Sequence, residues 1–297
     1  MSPDERQAAR PREPVYSIGI FAGPSPLSLS PIPDLKNPVL THSDVSDVEA
    51  SFVADPFMLE ENGVWYMFFE VMVTTTGRGE IGLATSRDMR QWQYQKIVLR
   101  EPYHLSYPYV FRWRGQYFMV PETLDAGHIR LYRATAFPDR WEYVSNLYEG
   151  AFADSSLVRH ADRWWMFACP DPRSGNDRLR LFMADRLTGP WREHPASPII
   201  ERDAHIARPG GRVIPWKSGV IRYTQDCYPT YGRQVQAFCV DKLTPSTYRE
   251  EFAPGNPILP MGSWCWTSQG MHQVDPHRIR AGYWVACVDG YGYPDEP

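Results

Sequence analysis

The chain has 297 residues, 43% of them hydrophobic, and a net charge of −4 at neutral pH. That is enough for one large core or two small ones, and all-β chains of this length often form one domain. No block of like charge points to a nucleic acid or a membrane surface as partner, and the apolar runs are strand-sized, too short to span a bilayer.

Residues 1–14, MSPDERQAARPREP, are charged and proline-containing with no apolar stretch, so they read as a disordered leader and not a secretory signal. Cys169, Cys227, Cys239, Cys265 and Cys287 are odd in number and lack C-x2-C spacing. They read as buried reduced thiols in a cytoplasmic protein, and no cofactor is expected. With 28 prolines, 21 glycines and 14% aromatics, the composition suits short strands joined by tight turns.

The first clear element is Ala54 to Glu70, a strand, a turn at Gly63 and a second strand. It recurs as Ser106 to Glu122, Ala153 to Cys169, Gly210 to Asp226 and Gln273 to Asp289, with turns placed at Gly115, Asp162, Gly219 and Gly282. Eight residues before each turn stand Asp55, Tyr107, Asp154, Gly211 and Val274; seven after stand Glu70, Glu122, Cys169, Asp226 and Asp289. Third strands begin at Ile81, Ile129, Leu179 and Val235, which are 48, 50 and 56 residues apart, and fourth strands begin at Trp92, Trp141, Trp191 and Tyr248. Some units close on similar pieces such as Ser197-Pro198-Ile199-Ile200 and Asn256-Pro257-Ile258-Leu259. Four antiparallel strands at a period of about fifty residues describe a propeller blade.

The fifth unit ends after its second strand, near Asp289. Tyr16 to Phe21 has the character of a third strand, and Asn37-Pro38-Val39-Leu40 that of a fourth-strand ending. The expected fold is therefore all-β, a five-bladed β-propeller closed by N-terminal strands that complete the last blade. The domain is expected to span residues 15–293, with 294–297 as a tail.

First strands of a propeller line its central channel, so Asp55, Tyr107, Asp154, Gly211 and Val274 should ring the axis, with His104, His205, Arg208, Arg212, His272 and Asp275 near them. Asp55 and Asp154 facing each other would be the minimum equipment for glycoside chemistry. Each has a plain alternative, Asp55 as an Asp-Pro turn residue and Asp154 as a backbone acceptor. Arg208 and Arg212 flank a Pro-Gly-Gly turn, where close backbone approach and a guanidinium pair would suit an anionic group on a substrate; ion pairing with Asp55 or Asp154 is the other reading. His104, His205 and His272 lack a metal-ligand spacing and read as structural or substrate-binding. Trp65, Trp164, Trp165 and Trp284 read as blade packing, and Trp264 and Trp266, with Tyr107 and Tyr109, as a stacking surface for a sugar ring.

Phe52 to Glu70, His104 to Phe111, Trp164 to Ala168, Ala207 to Arg212 and Gly270-Met271-His272 resemble the N-terminal domain of the glucosamine inositolphosphorylceramide transferases. More broadly, Ala54-Asp55-Pro56-Phe57, Phe152-Ala153-Asp154-Ser155 and the five-blade count resemble family-43 glycoside hydrolases and the furanosidase-type propellers. The resemblance implies that Asp55 is a base or nucleophile and that Asp154 holds the sugar or tunes its partner. It also implies a proton-donating glutamate in blade four, where this chain has Ala207-Arg208-Pro209-Gly210. Glu122, Glu70 or Asp226 would have to replace it, from second-strand ends that could lie at either mouth of the channel.

The expected activity is hydrolysis or transfer of a small glycoside, neutral or anionic. Asp55, Asp154 and Glu122 are the catalytic candidates, and Tyr107, His104, Arg208, Arg212, Trp264, Trp266, His272 and Asp226 the substrate-binding ones. A sugar-binding module without turnover, and a biosynthetic enzyme using the funnel for cyclisation or elimination, remain open alternatives. The sequence leaves the oligomeric state open.

Overall fold

The computed structural model describes residues 13–294. The proposed leader falls mainly, and the tail largely, outside the described residues. The chain opens with β1 (Val15–Ser25) and β2 (Ser28–Pro31). Blade one follows as β3 (Ala50–Glu61), β4 (Val64–Val73), β5 (Arg78–Ser86) and β6 (Gln93–Leu99). Blade two is β7 (Ser106–Trp113), β8 (Gln116–Glu122), β9 (His128–Ala136) and β10 (Arg140–Glu149). Blade three is β11 (Phe152–His160), β12 (Arg163–Pro170), β13 (Arg180–Ala184) and β14 (Arg192–Glu193). Blade four is β15 (Ile214–Trp216), β16 (Gly219–Gln225), β17 (Val235–Leu243) and β18 (Tyr248–Phe252). Blade five combines β19 (Val274–Arg280) and β20 (Tyr283–Gly292) with β1 and β2, in the order β19-β20-β1-β2.

β1 pairs with β20 continuously from Val15↔Gly292 to Gly23↔Trp284, so the two ends of the described chain share one sheet and the ring has no open seam. β2 forms the outer edge of that blade, and Asn37 to Leu40 returns to the start of β1, where the Val39 N–H donates to Ile18 O at 2.7 Å. Ile199 does the same to Leu179 O at 2.9 Å and Ile258 to Val235 O at 2.8 Å. The shared Asn/Ser-Pro sequence has a role here. Asn37 accepts from the Ile20 N–H and donates to Ile20 O, and Asn256 treats Ala237 in the same way. Such a side chain pairs one residue of a strand where no neighbouring strand continues.

Turn chemistry follows the sequence in blade one, where Asn62 (φ 54°) and Gly63 (φ 75°) both take the left-handed conformation of a type I′ hairpin. Blade four differs by one residue. Its turn is Lys217-Ser218, and Gly219 already belongs to β16, where a Cβ would sit 1.9 Å from Val240 O. That glycine is required by close strand approach and not by the turn, so Gly211 is one position out of register with Asp55.

The first strands contact one another around the axis, β3 to β7, β7 to β11, β11 to β15 and β19 to β3, and the parallel bridge Gly211↔Val274 joins blade four to blade five. Four apolar clusters fill the spaces between blades. Trp164 and Trp165 are buried and Trp65 and Trp284 half-buried at those interfaces, as the pattern predicts. Each fully buried Phe of these clusters, such as Phe57 or Phe68, contributes roughly 2–3 kcal/mol.

Candidate active site

Blades one, two and three each carry an extra residue at the start of the first strand. Pairing jumps from Ala54↔Glu70 to Phe57↔Phe68, from Ser106↔Glu122 to Tyr109↔Val120, and from Ala153↔Cys169 to Ser156↔Phe167. At the bulge, Asp55 (φ 52°), Tyr107 (φ 45°) and Asp154 (φ 52°) adopt left-handed backbone, uncommon for any residue with a side chain and a genuine outlier for tyrosine. Bulges of this kind re-aim side chains, and here they turn three of them toward the axis.

The result is a belt of hydrogen bonds around the funnel. Asp289 Oδ2 accepts the Asp55 N–H at 3.0 Å, and Asp55 Oδ2 accepts the Tyr107 N–H at 3.2 Å. The Tyr107 hydroxyl accepts the Gly211 N–H at 2.8 Å and lies 2.7 Å from Ser156 Oγ. Asp289 Oδ1 takes the His272 and Gln273 N–H groups at 3.1 and 3.0 Å.

Antiparallel pairing sets Glu70 opposite Ala54 and Glu122 opposite Ser106, so the second-strand ends lie at the same mouth as Asp55 and not at the far one. Asp55, Glu70, Glu122, Asp154 and Asp289 are all buried there, with Arg208 and His272 as the cations among them. Arg208 Nε donates to Asp154 Oδ2 at 2.5 Å, Gln225 Nε2 donates to the same oxygen at 2.8 Å, and Arg208 Nη1 reaches Asn176 Oδ1 at 3.0 Å. Glu122 Oε2, 3.7 Å from Arg208 Nη2, is buried without a hydrogen-bond partner among the described residues. His104 accepts the Gly79 N–H on Nδ1, so its neutral ring carries its proton on Nε2, 3.3 Å from Glu70 Oε1.

Five carboxyls against two cations cannot all ionise at ordinary values. Burial, opposed by His272 and reinforced by Asp154 and Asp289, pushes the Asp55 carboxyl up to about 7. Glu122 is held well above the carboxylate range by burial and then by the Asp154 charge, with Arg208 opposing. Glu70 is raised by burial and then by Asp55. Burial alone would lower His272, but Asp289 at 2.7 Å and Asp55 at 3.9 Å lift it to about 8. Asp55, His272 and Asp289 each bring one ligand atom within 4.8 Å of the others, the one group among the described residues with metal-holding geometry. As they stand, the imidazolium between two carboxylates occupies the place of a cation.

Several expected site residues lie elsewhere. Arg212 does not join Arg208; it pairs with Asp275 and donates to Val110 O, and it packs on Phe57 and Tyr109. The expected guanidinium pair for an anionic group is therefore absent, since each arginine is matched to a carboxylate. The glycines beside them serve packing: a Cβ on Gly210 would meet Gln225 N at 2.7 Å and one on Gly211 would meet Val274 O at 1.9 Å. Tyr107 is fully buried with its hydroxyl bonded across the axis to Gly211 O, as part of the funnel's frame. Trp266 is buried over Gly19, Gly290 and Gly292 between blades four and five, and Trp264 packs edge-on against Phe21 there. Neither stacks beside Tyr107, because the loop that carries them folds back onto β1 and β20.

Asp226 accepts from His205 Nδ1, the Tyr228 N–H and Gln234 Nε2, and thereby clips the base of the 227–233 loop. Both of its oxygens accept hydrogen bonds from the chain itself. The three histidines thus partner three different acids, His104 with Glu70, His205 with Asp226 and His272 with Asp289, and form no joint site. Residues that pattern reading passed over are Asp289, Tyr16, Gln225 and Tyr231. Asp289 stood in the same repeat column as Glu70 and Glu122 and was open to detection; Tyr231 lies over Arg208 at 4.9 Å from a loop that no repeat predicts.

A family model described as "Glucosamine inositolphosphorylceramide transferase 1, N-terminal" matches residues 9–291. The chain belongs to this family. A relative named glucosamine inositolphosphorylceramide transferase 1, from Oryza sativa subsp. japonica, is 36% identical over 299 residues, covering 94% of this chain and 40% of the relative. The chain therefore spans about two fifths of the rice protein's length. Among solved structures, β-1,2-mannobiose phosphorylase from Listeria innocua superposes with a TM-score of 0.66 at 14% identity, covering 91% of this chain and 96% of that one. A thermostable family-43 glycoside hydrolase gives 0.61 at 15% identity, covering 86% and 91%. These likenesses place the inositolphosphorylceramide-transferase N-terminal family on the same five-bladed fold. No helix of the described residues is long and apolar enough to cross a membrane.

Proposed function

We propose that this propeller is carbohydrate-active and cleaves or transfers a glycosyl group at the mouth of its axial funnel. Asp55 serves as base or nucleophile, Glu122 as proton donor and Asp154 as the positioning acid. The observation that carries this reading is the pairing of roles among buried carboxyls. Asp55 is poised near 7, while Glu122 is kept protonated by burial and by the Asp154 charge beside it. Glu122 would supply from blade two the proton that related hydrolases supply from blade four.

In the forward step the glycosidic C–O bond breaks and the Glu122 proton passes to the departing oxygen. Asp55 either bonds to the anomeric carbon or takes a proton from the water or alcohol that does so. Arg208 and Gln225 hold Asp154 in place through its Oδ2. Arg208 and His272 are each matched to a carboxylate, Asp154 and Asp289, which leaves neither cation over for an anionic group, so a neutral sugar fits the funnel better than an anionic one.

A sugar-binding module without turnover is the second reading. It is favoured by blade four, where Arg208 occupies the expected place of an acid and is locked onto Asp154. Turnover of nitrophenyl and alkyl glycosides separates the two. With a catalytic Glu122, Glu122→Gln slows alkyl glycosides by about 10²–10⁴-fold and nitrophenyl glycosides far less, because nitrophenolate leaves without a proton. Sugars that bind wild type but are never turned over would refute catalysis.

A further inference from the structure

Beside the acid cluster lies a cavity of about 520 Å³, bounded by Tyr16, Phe52, Tyr231 and Tyr291 with Ser51 and Thr230 at its edge. We infer that this cavity is a second subsite, which receives an apolar, preferably aromatic, group carried on the sugar as its aglycone. The inference rests on the reading of the acid cluster as the sugar site.

The volume falls within the ~300–1,000 Å³ usual for small-molecule sites. Its chemistry is the reverse of the neighbouring cluster. Among the described residues no Asp, Glu, Asn, Gln, Lys or Arg lines it, so neutral hydroxyls are the hydrogen-bonding side chains on offer and no charged or bidentate partner fixes a sugar ring there. What it presents instead is aromatic surface. Tyr16 stacks on Tyr291 at 4.8 Å and lies 5.8 Å from Phe52 at 58°, an arrangement ready to extend by one more ring. Tyr231 is 44% exposed and Phe52 partly exposed, so part of this surface faces the cavity and not the core.

Two walls are shared with the acid cluster, and this fixes what enters each part. Tyr16 stacks on His272 at 4.5 Å, and His272 in turn faces Asp55 and Asp289. Tyr231 covers the Arg208 guanidinium and meets His272 edge-on at 5.4 Å. A ligand whose polar ring lies at Asp55 would therefore pass its substituent between Tyr16 and Tyr231. The 227–233 loop holds Tyr231 there, clipped at its base by Asp226 and seated by Gly232, whose missing side chain leaves room for the Tyr16 hydroxyl and the His272 ring.

The test uses matched methyl and phenyl glycosides of glucose, galactose, mannose, xylose, arabinose and glucosamine. Binding to the full chain is followed by saturation-transfer NMR and calorimetry. At least one phenyl glycoside should bind about ten-fold more tightly than its methyl counterpart, with saturation strongest on the phenyl protons. Phe52→Ala and Tyr231→Ala should each cut that preference several-fold, Phe52→Ala leaving methyl glycosides unchanged, while Tyr231→Phe, which keeps the ring, should retain it. Equal affinity of methyl and phenyl forms, a preference that survives both alanine substitutions, or no phenyl binding up to ten millimolar would each overturn the subsite. Because binding is measured without turnover, a phenyl preference in an inactive protein would sink only the catalytic reading. Turnover without the preference would sink only the subsite.

Discussion

Replacing Asp55 by asparagine should make the protein more stable, and only where the carboxyl would be charged. Moving a carboxyl from its ordinary value of 3.8 to about 7 corresponds to about 4 kcal/mol of lost stability once both folded and unfolded forms are ionised. The sign follows from proton binding. The folded state holds the proton more tightly, so the penalty is absent below about pH 4, grows as pH rises, and is complete above about pH 7. Asparagine keeps an oxygen for the Tyr107 N–H and removes the charge. His272 keeps Asp289 as its partner in the variant, so its own contribution, stabilising below the unfolded value of 6.5 and lost as pH rises through about 8, changes less. Allowing for imperfect replacement, the gain at pH 8 should be about 2–4 kcal/mol, or a rise in Tm of roughly 5–10 °C. Thermal melts of wild type and Asp55→Asn at pH 4, 6 and 8 measure it. A variant no more stable at pH 8, or a difference that does not change with pH, would refute the reasoning, since an aspartate serving only its turn should lose stability on substitution.

Activity should rise with pH through about 7 as Asp55 ionises, and Asp55→Asn should remove turnover on every substrate. Asp154→Asn should move the descending high-pH limb of kcat/KM to lower pH, because Glu122 loses the neighbouring charge that holds its proton; an unmoved limb would mean that Asp154 acts only as scaffold. Tyr107→Phe should cost about 2–4 kcal/mol in urea unfolding, since it strips a partner from the buried Gly211 N–H and carbonyl and from Ser156. Gly211→Ala should cost more, about 4 kcal/mol or outright misfolding, because its Cβ would overlap Val274 O and its φ of 147° is strained for alanine.

The sequence by itself determined the fold to the level of individual strands. Hairpin units repeat every fifty residues or so, each too small to bury its own apolar face, and stacking them around an axis is the solution that covers every face. Closure by Tyr16 to Phe21 was legible because the last unit ends two strands short. Asp55 and Asp154 were legible because two of five repeats carry an acid in the same column. What only the tertiary structure decided is which charges meet. Column position put Asp55 and Asp154 at the axis, but it gave no sign of the bulges that turn them there, that Glu122 would share their mouth, or that Arg212 would part from Arg208 to pair with Asp275. Nor did it reveal that the Trp266 ring fills a gap left by Gly19 and Gly290 of blade five. Strand pattern is set by neighbours two residues apart, whereas the electrostatics of the site depend on side chains fifty to two hundred residues apart. Their distances exist only once the ring has closed.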